Sequence, residues 1–298
     1  MRRVALLLLA IASSGCIKHL VIGAAADALA PGDGPGWGAD DDPELIAAAT
    51  PFALKTIESL LASEPENPKL LLAACSGFTQ FGYAFVQVPA DLDADLKPER
   101  LAAAHLRTVR LLRRAYGYCW RGLDVAHAGM HAAFAKDAVA AAGAAEKADV
   151  PLLYWTAASL ALQISLQKDH PELLGELPGV GALAERALAL DESWDHGSVH
   201  ELLEAYEASR PAASGGSVPK AQAHRDQALA ESENKKLGPL VTWAEDVDVA
   251  KQDKAEFLKL CDQVLAFDLD SAPDYRLTNT LAQRRAAYLK AHVDDFFA

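Results

Sequence analysis

His196, His200 and Glu204 recur every fourth residue in the stretch HGSVHELLE. Side chains four apart share one face of a helix, so this spacing would align three groups of the kind that zinc accepts. The stretch is not H-E-x-x-H, because Gly197 follows the first His and no general-base Glu stands between the two. His127 and His131 repeat the interval. Such pairs arise cheaply in helical sequence, and capping, packing or pairing with a neighbouring Arg is the simpler role. Cys75, Cys119 and Cys261 lie far apart in apolar helical stretches, with no C-x-x-C and no His/Cys ligand cluster. That argues against zinc and for buried thiols. One disulfide between two of them stays open in an oxidising compartment, and spacing alone does not pair them.

A second pattern is electrostatic. Arg100, Arg107, Arg114 and Arg121 recur every seven residues, Arg110 and Arg113 add to that side, and from Lys97 to Arg121 seven basic residues accompany one acid, Glu99. The guanidiniums either pair with carboxylates on adjoining helices such as 183–207, or form a strip for an acidic partner or anionic ligand. Arg107, Arg114 and Arg121 are the candidates for the second role. Phe81 and Phe85, and Tyr154 and Trp155, are the apolar candidates. Rings of that size suit a core and equally the wall of a cavity for a hydrophobic ligand.

Catalytic signatures are missing from the sequence. It contains no G-x-S-x-G, no Walker loop and no G-x-G-x-x-G. Gly179 and Gly181 in LPGVGAL read as a turn at a helix start, without the preceding strand of a dinucleotide fold. No pair of acids is singled out by a shared face. The expectation is a non-catalytic protein without a metal or cofactor.

The first residues address compartment. Arg2 and Arg3 precede the apolar run Val4 to Ala12, then Ser13-Ser14-Gly15-Cys16, in the order of an export signal, residues 1–15. A Cys after small residues resembles the bacterial lipoprotein box, with Ser13 where that box carries an aliphatic residue, so Cys16 is the expected lipidation site and membrane anchor. Ile17 rather than Asp follows, which points to the outer membrane, facing the periplasm. Removing residues 1–15 takes away two Arg and no acid, so the formal charge moves from −13 to −15. Such a chain does not attract nucleic acid.

The elements that must position these groups are helices. The chain is 51% hydrophobic, with few alternating Val/Ile/Thr runs to build a sheet. Residues 16–42 read as a lipidated N-terminus and linker, with an apolar stretch 17–30 and the Gly/Pro/Asp-rich 31–42 around Trp37. Residues 43–298 read as one all-α domain. Asp42-Pro43 starts a helix, Thr50-Pro51 should kink it, and Glu64 to Pro68 ends it and opens Lys69 to Val88. A helix follows over Pro98 to Met130. The Ala-rich 132–148 offers little to anchor packing. A core helix begins at Pro151. The hairpin Leu183 to Pro211, joined by a short turn at Asp191-Glu192-Ser193, has the character of a tetratricopeptide unit. Three similar tails end at Leu190, Ala230 and Phe267. Stacked tetratricopeptide-like hairpins in a helical bundle, closed and capped rather than an open superhelix, are the expected fold.

From about Asp41 to Phe297 the sequence resembles the TatT family, the T component of tripartite ATP-independent periplasmic (TRAP) transporters. The resemblance rests on Pro65-Glu66-Asn67-Pro68 with Leu70-Leu71-Leu72, Phe85-Val86-Gln87, Tyr154-Trp155, Lys168-Asp169 and Arg186-Ala187-Leu188. It continues through Gly197 with His200, Gly215-Gly216 and Gln283-Arg284-Arg285-Ala286, all behind the Cys16 signal. It implies tetratricopeptide-like hairpins, a homo-oligomer with a trimer as first expectation, a periplasmic solute-binding protein as partner, and a hydrophobic ligand. The competing expectation is an outer-membrane assembly or secretion-scaffold lipoprotein.

Overall fold

The computed structural model describes residues 37–297. Cys16, the export signal and the stretch 17–30 lie outside them. Helices dominate the described residues, which contain no strand.

Capping sets where the first helices begin. The Asp42 carboxylate accepts the Leu45 N–H at 2.9 Å and Pro43 opens α1 (Pro43–Ser63). Asn67 accepts the N–H groups of Lys69 and Leu70, and Pro68 opens α2 (Pro68–Asp91). A π-helical turn, Tyr83–Gln87, interrupts α2. The kink expected at Thr50-Pro51 does not break α1. Pro51 is exposed, and the Thr50 hydroxyl donates to the Ile46 carbonyl. Helix α3 (Pro98–Ala126) stops earlier than expected, at His127, with Gly129 left-handed at φ +81°.

The Ala-rich stretch corrects expectation more strongly. It forms α4 (Met130–Phe134) and α5 (Ala138–Gly143), and Met130, Phe134, Ala141, Ala142 and Ala145 are all buried in the main core. Phe134 is its anchor. Its ring lies where a side chain on Gly179 would stand, at 2.8 Å from an added Cβ. Gly179 and Gly181 are therefore buried small residues at the start of α7 (Leu177–Leu190), where the sequence placed a helix start. Gly181 makes room for Tyr206 in the same way.

Helix α6 (Val150–Leu166) precedes α7, and α8 (Ser198–Ala208) follows it. Next come α9 (Val218–Glu231) and α10 (Gly238–Trp243). A second π turn, Ala244–Asp248, extends α10 before α11 (Lys254–Leu265) and α12 (Arg276–Ala291). Neighbours stack in the order α1, α2, α3, α6, α7, α8, α9, α10, and α10 packs on both α11 and α12. Three apolar clusters seal the stack. One joins α1 and α2, a large one runs from α2 to α8, and a third lies within α9 to α12.

The array closes on itself. Helix α12 touches α1, and the Leu277 N–H donates to the Gly38 carbonyl at 2.9 Å. Cys75 of α2 and Cys119 of α3, both fully buried, form a disulfide, which corrects the reading of all three cysteines as thiols. Only Cys261 stays a buried thiol among the described cysteines.

Candidate functional site

The arginine row lies along the exposed side of α3. A seven-residue repeat drifts only about 20° per step on a straight helix, so one long uninterrupted helix keeps these residues on one side. Aromatic residues of α2 and α3 support three of them. The guanidinium of Arg107 sits 5.7 Å from the ring centre of Phe81, Arg114 lies 5.2 Å from Phe78, and Arg121 lies 5.3 Å from Tyr118. Arg121 also donates to the Pro65 carbonyl at 2.7 Å, and Arg113 to the Gln167 side-chain oxygen at 3.0 Å.

Among the described residues only Arg114 of this row meets a carboxylate, Glu58 of α1 at 3.5 Å. Burial works against the charge of Glu58, yet Lys55, Tyr118 and Arg114 together hold its carboxyl below the usual range. Burial, and then the hydrogen bond to Glu58, push the Tyr118 phenol up to about 12. The partner helix expected for this row, 183–207, provides none of these contacts.

The aromatic candidates fall into two separate places. Phe81 is buried and Phe85 half-buried in the α1–α2 cluster, their ring centres 6.3 Å apart. Tyr154 and Trp155 are half-buried beside the main core, where Tyr154 meets Trp194 at 4.8 Å. None of the four lines the open concavity of about 590 Å³ between the end of α3, α4 and α5, whose walls are chiefly alanine with His127, Met130, Lys136 and Asp137.

His196, His200 and Glu204 do not share a helical face. Asp195 and His196 are left-handed at φ +47° and +52°, and α8 begins only at Ser198. Lys236 holds that turn by donating to the Asp195 carbonyl and the Ser198 hydroxyl while pairing with Glu201 at 3.1 Å. His200 instead meets His224 of α9, the two Nδ1 atoms 2.9 Å apart, so one ring donates and the other accepts. Its Nε2 lies 3.4 Å from Glu192. Burial lowers both imidazoles, His224 to about 4. Among the described residues no three His, Cys, Asp or Glu side chains are arranged to hold a metal ion.

Glu204 is fully buried, and neither carboxylate oxygen has a hydrogen-bond partner. Burial, reinforced by Glu201, raises its carboxyl to about 10, so at neutral pH it is a carboxylic acid.

The polar cluster missed by sequence reasoning lies at the seam. Arg285 of α12 donates to the Tyr83 hydroxyl at 2.7 Å and pairs with Glu245, so two π turns distant in sequence converge on one guanidinium. Extra-residue turns of this kind recur at functional places in helices. Burial raises the Glu245 and Asp246 carboxyls there. The adjacent Arg284 points outward and holds Glu44 of α1 through two hydrogen bonds, 2.6 and 3.1 Å. Two neighbouring arginines on a late helix were the available signal. Nothing local says that only one faces inward.

The family model described as "TRAP transporter T-component" matches residues 39–297. A protein of Treponema pallidum (strain Nichols), described as uncharacterized, is 28% identical over 262 residues, covering 87% of this chain and 81% of its own.

Proposed function

The chain belongs to the TRAP transporter T-component family, and from that membership we propose that it is a non-catalytic lipoprotein accessory of such a transporter. It docks the periplasmic solute-binding protein and hands it a hydrophobic ligand. The observation that carries this reading is the extent of the match, which takes in the whole closed helical array from α1 to α12.

Other features are in keeping with it. The Cys75–Cys119 disulfide suits an oxidising compartment outside the cytoplasm. Stacked helix pairs offer broad partner surfaces. Lipidated Cys16 tethers the protein to the outer membrane with its helices in the periplasm, as a homo-oligomer with a trimer as first expectation.

Cross-linking in cells followed by purification from membranes tests the assignment. The expected partner is the solute-binding protein of a TRAP transporter. Recovery of barrel-assembly or secretion machinery in its place would establish the scaffold alternative. Native mass spectrometry of the same detergent extract reads the lipid on Cys16, the subunit number and any retained apolar molecule.

A further inference from the structure

An arginine row in an acidic protein is ordinarily neutralised by carboxylates of the helices beside it. Here that explanation fails for five of six. Among the described residues, Arg100, Arg107, Arg110, Arg113 and Arg121 have no carboxylate within ion-pair distance, although the chain carries 41 acids against 28 bases. The contacts that three of these five do make are to groups without net charge. Arg107 lies over the Phe81 ring, Arg113 donates to an amide oxygen, and Arg121 donates to a peptide carbonyl while lying over Tyr118. Their positive charge is therefore oriented but not cancelled.

We propose that the exposed face of α3 is a docking surface for an acidic face of a protein partner. Within the family reading that partner is the solute-binding protein, so its identity rests on that reading. The spacing argues against a small anion. Seven residues of helix separate successive arginines by about 10 Å, and the row from Arg100 to Arg121 spans about 30 Å. A phosphate or carboxylate would need donors converging on one point. The length matches one side of an ordinary protein interface.

Support by rings and carbonyls distinguishes a protein from a bilayer. A fluid headgroup layer gains little from guanidiniums held in register, whereas a patterned acidic surface gains both orientation and rate of encounter. Leu106, exposed between Arg100 and Arg107, and Val125, exposed one turn beyond Arg121, add apolar contact beside the charges.

The test is binding of the purified solute-binding protein to the full-length lipoprotein in detergent, at 25 and 150 mM salt. The comparison is with the triple variant Arg107→Gln/Arg110→Gln/Arg113→Gln. All three positions are exposed, and circular dichroism verifies the fold. Wild type is expected to lose affinity at least tenfold across that salt range. The triple variant is expected to bind at least tenfold more weakly at low salt and to lose most of the salt dependence. Arg110→Lys should keep most of the binding, since that position asks only for charge. Equal binding by wild type and the triple variant overturns the docking face and leaves the family reading standing. No binding by wild type overturns both. Arginine-dependent binding to vesicles of phosphatidylcholine with phosphatidylglycerol, with none to the protein, reassigns the row to a lipid surface and overturns the proposal.

Discussion

Arg285 donates to the hydroxyl of Tyr83, a residue 202 positions earlier in the chain, at 2.7 Å. That contact joins the last long helix to the second and lies beside the seam where α12 meets α1. It is a polar closure. Most of the array packs between consecutive neighbours, whereas this contact joins segments far apart in the chain, so the seam is the place where single substitutions should act on the whole fold.

Arg285→Met should destabilise the protein more than Tyr83→Phe does. Removing one member of a buried ion pair costs about 3–5 kcal/mol. Arg285 keeps 30% of its side-chain exposure, which places the loss at the lower end. Tyr83→Phe removes one charge-assisted hydrogen bond, worth about 1.5–3 kcal/mol. Urea denaturation of the two single variants and the double variant measures the coupling, and strictly additive losses would show that the two groups do not act together.

Glu204→Gln should stabilise the protein, and more so at higher pH. The folded carboxyl is raised to about 10 from an ordinary 4.5, so the folded chain holds a proton that the unfolded chain releases near 4.5. Stability therefore declines as pH climbs between those values. An amide of similar shape has no proton to lose. Melting temperatures at pH 4, 6 and 8 should show wild type and variant alike at pH 4 and increasingly separated above it.

His224→Gln should act in the opposite direction on the pH scale. Burial lowers His224 from 6.5 to about 4, and His200 is also lowered, so the unfolded state takes up protons before the folded state does. Wild type should lose stability as pH falls from 6.5 toward 4, and the variant should lose less of it. Urea midpoints at pH 7.5 and 5 decide the matter. The charged groups near this pair are Glu192 and Glu231 beside His200 and Lys220 beside His224.

Cys75→Ala/Cys119→Ala should lower stability substantially. The bond closes a 44-residue separation, and constraining such a loop in the unfolded chain is worth about 4 kcal/mol in the chain-entropy account. Both sulfurs are buried, so mild reductant should leave the folded protein unchanged and act only after denaturant opens it. Free-thiol titration with and without urea separates the two states.

Much of the fold was readable because its causes are local. Asp42-Pro43 and Asn67-Pro68 mark helix starts by the chemistry of the first turn, and apolar residues at helical intervals mark the faces that must be covered. The seven-residue spacing likewise established a row of arginines on one side of α3. Failures came where a residue's role depended on something outside its own helix. The four-residue interval places His196 and His200 on one helical face. Lys236, 40 residues later, instead holds the preceding turn left-handed. The alanine stretch looked too featureless to pack until Phe134 met the gap left by Gly179.

Local patterns along the chain suffice to show amphipathic helix pairs, where most of them begin, and that one helix carries unusual positive charge. Tertiary structure decided which cysteines bond, that His200 faces His224, and that the array closes with Arg284 outside and Arg285 inside. Adjacent positions on a helix point about 100° apart, so one faces solvent and the other the interior according to which neighbour stacks on which side. Local periodicity does not contain that information, because it is settled by contacts between segments up to two hundred residues apart.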